Sequence, residues 1–199
     1  MGYVNAIMRL VNFDSSAQIR STRLLAQLVL VLLVAACSSA PRQYGTRDSN
    51  RYDNDVDLLV SLTEAEKSAD EIGRKILVTG RKMSLDKQEI IKGSCWDYSN
   101  AVYTRAGHPN DKSSRTTVFK GTKQKGPYAD AKLIRPGDWL YYVNHSYNDI
   151  EHSAIFVKWI DFDSRNALML SYGGEKRNEP ARYINYDLSN VYRIVRPAA

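Results

Sequence analysis

The apolar residues of this chain change their spacing once, near residue 116, and that change restricts the folds open to it. Upstream, Leu58, Leu62, Ala65, Ala69, Ile72 and Ile76 recur at steps of three and four. On a helix they share one face, which must be buried against something else. This predicts a helix from Val56 that stops at Gly80, glycine being common just past a helix end. A second, shorter helix is expected over 84–91. Beyond Thr116 the pattern becomes short β-type runs between turn residues. Candidate strands are 116–120, 139–143, 153–160, 167–172, 182–187 and 191–195. Pro136-Gly137-Asp138 and residues 161–166 supply turns. Helices followed by a run of strands predict an α+β fold, with N-terminal helices packed on an antiparallel sheet of five to six strands.

Between these regions, Ser94-Cys95-Trp96-Asp97 has the form of a capping box, with Ser at the N-cap and an acidic residue three positions on. It predicts a helix from Cys95 to about Arg105, stopped by Gly107.

The N-terminus reads as an export signal over residues 1–36. Arg20 and Arg23 precede an apolar run from Leu24 to Val34, broken only by Gln27, and Ala35 and Ala36 follow. That run is too short to span a bilayer stably. Val34-Ala35-Ala36-Cys37 resembles the lipobox of bacterial lipoproteins, which implies lipidation of Cys37 and, with Ser38 next, an outer-membrane anchor facing the periplasm. Residues 37–55 are polar and read as a tether, leaving 56–199 as one domain. The formal charge is +6, of which the signal carries +2 through Arg9, Asp14, Arg20 and Arg23, so the mature part carries +4. A weak positive charge suits an anionic cell envelope. No basic run interleaved with aromatics marks a nucleic-acid groove.

Two cysteines are present. With Cys37 lipidated, Cys95 is a lone thiol in an oxidising compartment, either inert in the core or kept for reactivity. At the first position of a helix its sulfur lies by unpaired backbone N–H groups, which favour the thiolate nucleophile. A thiol nucleophile needs a base, and the chain offers His108, His145 and His152. His152 directly precedes the apolar run Ser153-Ala154-Ile155-Phe156-Val157. Alternation puts His152, Ala154 and Phe156 on one face, where the small Ala154 would let the helix start approach the imidazole. His145, in the polar loop Asn144-His145-Ser146-Tyr147-Asn148, reads as a rim residue for substrate contact, and Tyr172 before Gly173-Gly174 as another. His108 reads as a polar residue past a helix end. The histidines and Cys95 match no metal-ligand spacing, so no metal or other cofactor is expected.

Gly93-Ser94-Cys95-Trp96-Asp97-Tyr98-Ser99, then Arg135-Pro136-Gly137-Asp138-Trp139-Leu140, then Glu151-His152-Ser153-Ala154-Ile155-Phe156-Val157 resemble, in order and spacing, the NlpC-type papain-like cell-wall hydrolases. The resemblance spans about residues 93–174. It implies a papain-like fold, Cys95 as nucleophile, His152 as general base and acid, and peptide or amide bonds of peptidoglycan as substrate. The family's third polar residue, on the strand after the histidine, falls nearest Ser171. A catalytically silent lipoprotein of the same fold, binding a peptide or protein partner, and an acyl-handling enzyme on lipid esters or amides remain the alternatives.

Overall fold

The structure, a computed structural model, describes residues 55–198. The expected export signal, Cys37 and the expected tether up to residue 54 lie outside the described residues.

The apolar stripe that begins at Leu58 is carried by two helices, α1 (Asp55–Ser68) and α2 (Glu71–Arg81). The single helix expected there is interrupted at Asp70, whose extended backbone ends one helix and whose carboxylate accepts the Gly73 amide at 2.7 Å to start the next. Leu62, Ala65, Ala69 and Ile76 still join one buried cluster, so the hydrophobic period runs through the break and conceals it. Gly80 lies inside α2 rather than beyond it. A Cβ at this position would stand 2.5 Å from the Leu170 side chain, so the missing side chain lets α2 lie close on the sheet. A π-helical turn, Lys82–Asp86, follows. The helix expected over 84–91 does not form, and residues 87–94 run irregularly to α3 (Cys95–Arg105).

The β region forms one antiparallel sheet: β1 (Arg115–Lys120), β2 (Trp139–Asn144), β3 (Ile150–Asp161), β4 (Asn166–Ser171), β5 (Arg182–Asp187) and β6 (Val191–Pro197), in the order β1-β6-β2-β3-β4-β5. The chain is therefore α+β, with helices first and a six-stranded sheet after. The largest boundary difference is at β3, which starts at Ile150 and so includes His152.

Both faces of the sheet are covered. Ile155, Val157, Leu168 and Leu170 meet Ile76, Val102 and Tyr103 of the helices. Ala154, Phe156, Ala167 and Met169 meet Leu140, Tyr142, Ile194 and Ile134 on the opposite side. Each aliphatic side chain so buried contributes about 1.5–3 kcal/mol before entropy is counted. The turn before β2 is fixed by Asp138, which accepts the Arg135 amide at 2.8 Å and Arg196 Nε and Nη2 at 2.7 and 2.8 Å. Tyr103 of α3 donates to Gly137 O at 2.7 Å, joining that helix to the same turn.

Candidate active site

The site starts from Gly93. Its φ of +110° suits only glycine, and a Cβ there would lie 2.3 Å from Asp97 Oδ2. Asp97 is thereby free to fold back onto Ser94, whose N–H and hydroxyl donate to Asp97 Oδ2 at 2.7 and 2.8 Å, while Trp96 N–H donates to Ser94 Oγ at 3.2 Å. The capping box expected from the sequence is complete. Ser94's backbone N–H, then its hydroxyl, hold the Asp97 carboxyl below the ordinary carboxylate range, so its charge is engaged at the cap. Cys95, half-buried, is the first residue of α3 and is not in a disulfide.

The side chain that meets the sulfur is Ser153, whose hydroxyl donates to Cys95 Sγ at 3.5 Å. This corrects the expected packing. The helices lie on the Ser153, Ile155 and Val157 face of β3, whereas Ala154 and Phe156 belong to the opposite core, so Ala154 is not the small residue beneath the helix start. His152 leaves β3 on the Ala154 side. Its ring packs edge-on to Tyr142, with centroids 5.7 Å apart, and 5.8 Å from the Tyr186 ring. His152 Nε2 shares a 2.8 Å hydrogen bond with Ser171 Oγ, which in turn bonds Tyr186 Oη at 3.1 Å. Burial, and secondarily the Arg177 guanidinium, push the imidazole down to about 4, so it is neutral near pH 7.

Cys95 and His152 nevertheless border one cleft of about 770 Å³. The register explains how. Pairing of β3 with β4 begins only at Ile155↔Leu170, and β4 ends at Ser171. Residues 150–154 of β3 therefore have no β4 neighbour, and the sheet is open along that edge. Tyr172 to Arg177 leave the sheet here and turn toward the helix start, where Glu175 N–H donates to Gly93 O at 2.9 Å. Side chains from both faces of β3 reach the same opening.

Tyr172 lies at the wall of this cleft, 2% exposed, stacked on Tyr98 at 4.7 Å and donating to Ile91 O at 2.7 Å. These contacts brace the loop before α3. His145 does not border the cleft. It sits in the exposed loop after β2, with Nδ1 2.7 Å from Asp149 Oδ1 and Nε2 3.0 Å from Asn190 Oδ1. Sequence reasoning missed Ser153, Tyr186 and Arg177. Ser153 was open to inference, since Ile155 and Val157 share its parity. Arg177 and Tyr186 come from distant segments that no local pattern connects to His152. Among the described residues, no group of three or more His, Cys, Asp or Glu could hold a metal ion. Neither family models, curated proteins nor solved structures give a match to this chain.

Proposed function

We propose that the domain is a papain-like cysteine hydrolase of the NlpC type that acts on amide or peptide bonds, with peptidoglycan as its substrate. The observation that carries this reading is the shared cleft, which a half-buried thiol at a helix start and a neutral imidazole both border at the open edge of the sheet. With Nε2 committed to Ser171, Nδ1 is the nitrogen left to accept the Cys95 proton. The resulting thiolate attacks the substrate carbonyl carbon, and the unpaired Cys95 backbone N–H faces the oxyanion. The C–N bond breaks, the amine leaves with the proton held on His152, and water hydrolyses the thioester to regenerate the thiol. Ser153, beside the sulfur, is a positioning residue for the thiol. A lipid on Cys37 would hold the domain in the cell envelope beside its substrate, raising effective concentration.

Muropeptide release from purified peptidoglycan tests the reaction. Wild type should release fragments, and Cys95→Ala and His152→Ala should each lose at least about 10³-fold, as for removal of a paired nucleophile or base. Equal release by wild type and Cys95→Ala would refute it. Radiolabelled palmitate should enter the wild type and not Cys37→Ala.

A second reading is a catalytically silent lipoprotein of the same fold that binds a peptide or protein partner. It is favoured by Ser153, rather than His152, being the hydrogen-bond partner of the sulfur. Peptidoglycan binding without release would support it. Assay of lipid extracts in parallel separates a third, an enzyme of lipid esters or amides.

A further inference from the structure

A second cavity, of about 330 Å³, flanks the start of α3 on the side of β6 and β1. Its wall is aromatic. Trp139 and Tyr141, two apart on β2 and so on one face of the sheet, stack with ring centroids 5.5 Å apart, and Trp96 lies 5.6 Å from Trp139. Its charge is positive. Lys112, Arg115 and Arg193 border it against one carboxylate, Asp111. That carboxylate is already occupied, accepting from the amides and hydroxyls of Ser113 and Ser114 at 2.6 to 3.1 Å.

The two arginines are not equivalent. Arg115 is committed to the fold, donating to His108 O, Asn100 Oδ1, Asn100 O and Thr104 Oγ1. Arg193 is Tyr141's cross-strand partner and lies over its ring at 5.1 Å. It is half-buried, it forms no salt bridge among the described residues, and its buried Nε lacks an acceptor there. A guanidinium partly withdrawn from water and left without a counter-charge is costly. An anion in the cavity would remove that cost.

We propose that this cavity is a ligand site for a small carboxylate, such as an amino acid or the C-terminal residue of a peptide. The carboxylate pairs with the outer nitrogens of Arg193, with Lys112 at the rim, and the body of the ligand lies on the Trp96 and Tyr141 rings. The volume is at the small end for ligand pockets and suits one or two residues. An organic carboxylate is preferred over inorganic phosphate because the aromatic wall of Trp96, Trp139 and Tyr141 can bury an apolar ligand body, which phosphate lacks. Cys95 does not border this cavity, so the site stands or falls apart from the hydrolase reading.

Two of the chain's three tryptophans, Trp96 and Trp139, border the cavity, and Trp159 packs in the other core, so intrinsic fluorescence reports occupancy. The full-length chain should be titrated with N-acetylalanine, its amide and inorganic phosphate, with calorimetry in parallel. The acid should bind at least about tenfold more tightly than the amide and than phosphate. Arg193→Gln should abolish that preference, and Arg193→Lys should keep part of it, each variant first shown to be folded by its near-ultraviolet dichroism. Equal binding of acid and amide, no binding of either, or an unchanged preference in Arg193→Gln would overturn the proposal. Phosphate binding more tightly than the acid would replace it with an inorganic-anion site. Cys95→Ala should bind like the wild type.

Discussion

At the scale of single residues, the site turns on which side chains touch the sulfur and which touch the ring. Ser153 donates to Cys95 Sγ from the helix-covered face. A donor stabilises a thiolate more than a thiol, so Ser153→Ala should slow alkylation of Cys95 by iodoacetamide about three- to tenfold at pH 7, with little change in stability. Unchanged alkylation would show that the 3.5 Å contact is incidental. Ser171 bridges His152 and Tyr186. Its removal leaves a buried ring N–H unpaired, so Ser171→Ala should lower muropeptide release roughly tenfold while Cys95 labelling is retained. Loss of labelling as well would mean that the cleft had rearranged. Cys95 and His152 were visible as candidates in the sequence because capping chemistry and strand alternation are local, whereas Ser171 was reached only through the resemblance to the papain-like hydrolases. Which face of β3 the helices would cover was not visible. Parity divides a strand's residues into two sets, but only packing decides which set meets the helix. Ala154 looked like the gap under the helix, while Ser153, one step away, fills that place.

At the scale of elements, the start of α3 shows how one helix end is built and what it costs to disturb it. Asp97 and Ser94 satisfy each other, and Gly93, lacking a Cβ, leaves room for the Asp97 carboxylate. Asp97→Ala should lower unfolding free energy by about 1 kcal/mol, the usual loss for a helix N-terminal cap, and slow Cys95 alkylation by displacing the sulfur. Gly93→Ala should cost more, on the order of 1–3 kcal/mol, because it adds left-handed strain to a clash with Asp97. Urea denaturation of the two variants provides the check, and a smaller loss for Gly93→Ala than for Asp97→Ala would contradict the order. This helix was legible because its cap is written in four consecutive residues. The boundary between α1 and α2 was not, since Asp70 caps a new helix without shifting the apolar period. Gly80 misled for a related reason. A glycine that admits a neighbouring Leu170 side chain looks, in sequence, like one that ends a helix.

For the molecule as a whole, the strands were legible because turn residues punctuate them. The open edge beside β3 was not, because it depends on where β3–β4 pairing stops. That edge places an imidazole in a partly enclosed position, and folding stability should record it. In the unfolded chain His152 titrates near 6.5, and in the folded protein burial, with Arg177 adding, holds it to about 4. Between these values the unfolded chain binds more protons than the folded one, so stability rises with pH. The contribution is fully present above pH 6.5 and is lost as pH falls toward 4. For one group the span is at most about 3 kcal/mol, less where water enters the cleft. Asp149 holds His145 above its ordinary range, so that group works in the opposite sense, but it is exposed and common to both proteins compared. The difference in urea-unfolding free energy between pH 4.5 and pH 7 should therefore shrink by about 1–3 kcal/mol in His152→Asn relative to wild type. If the two proteins lose the same stability on acidification, His152 is not held neutral by the fold, and the thiol would then face an imidazole already able to carry charge.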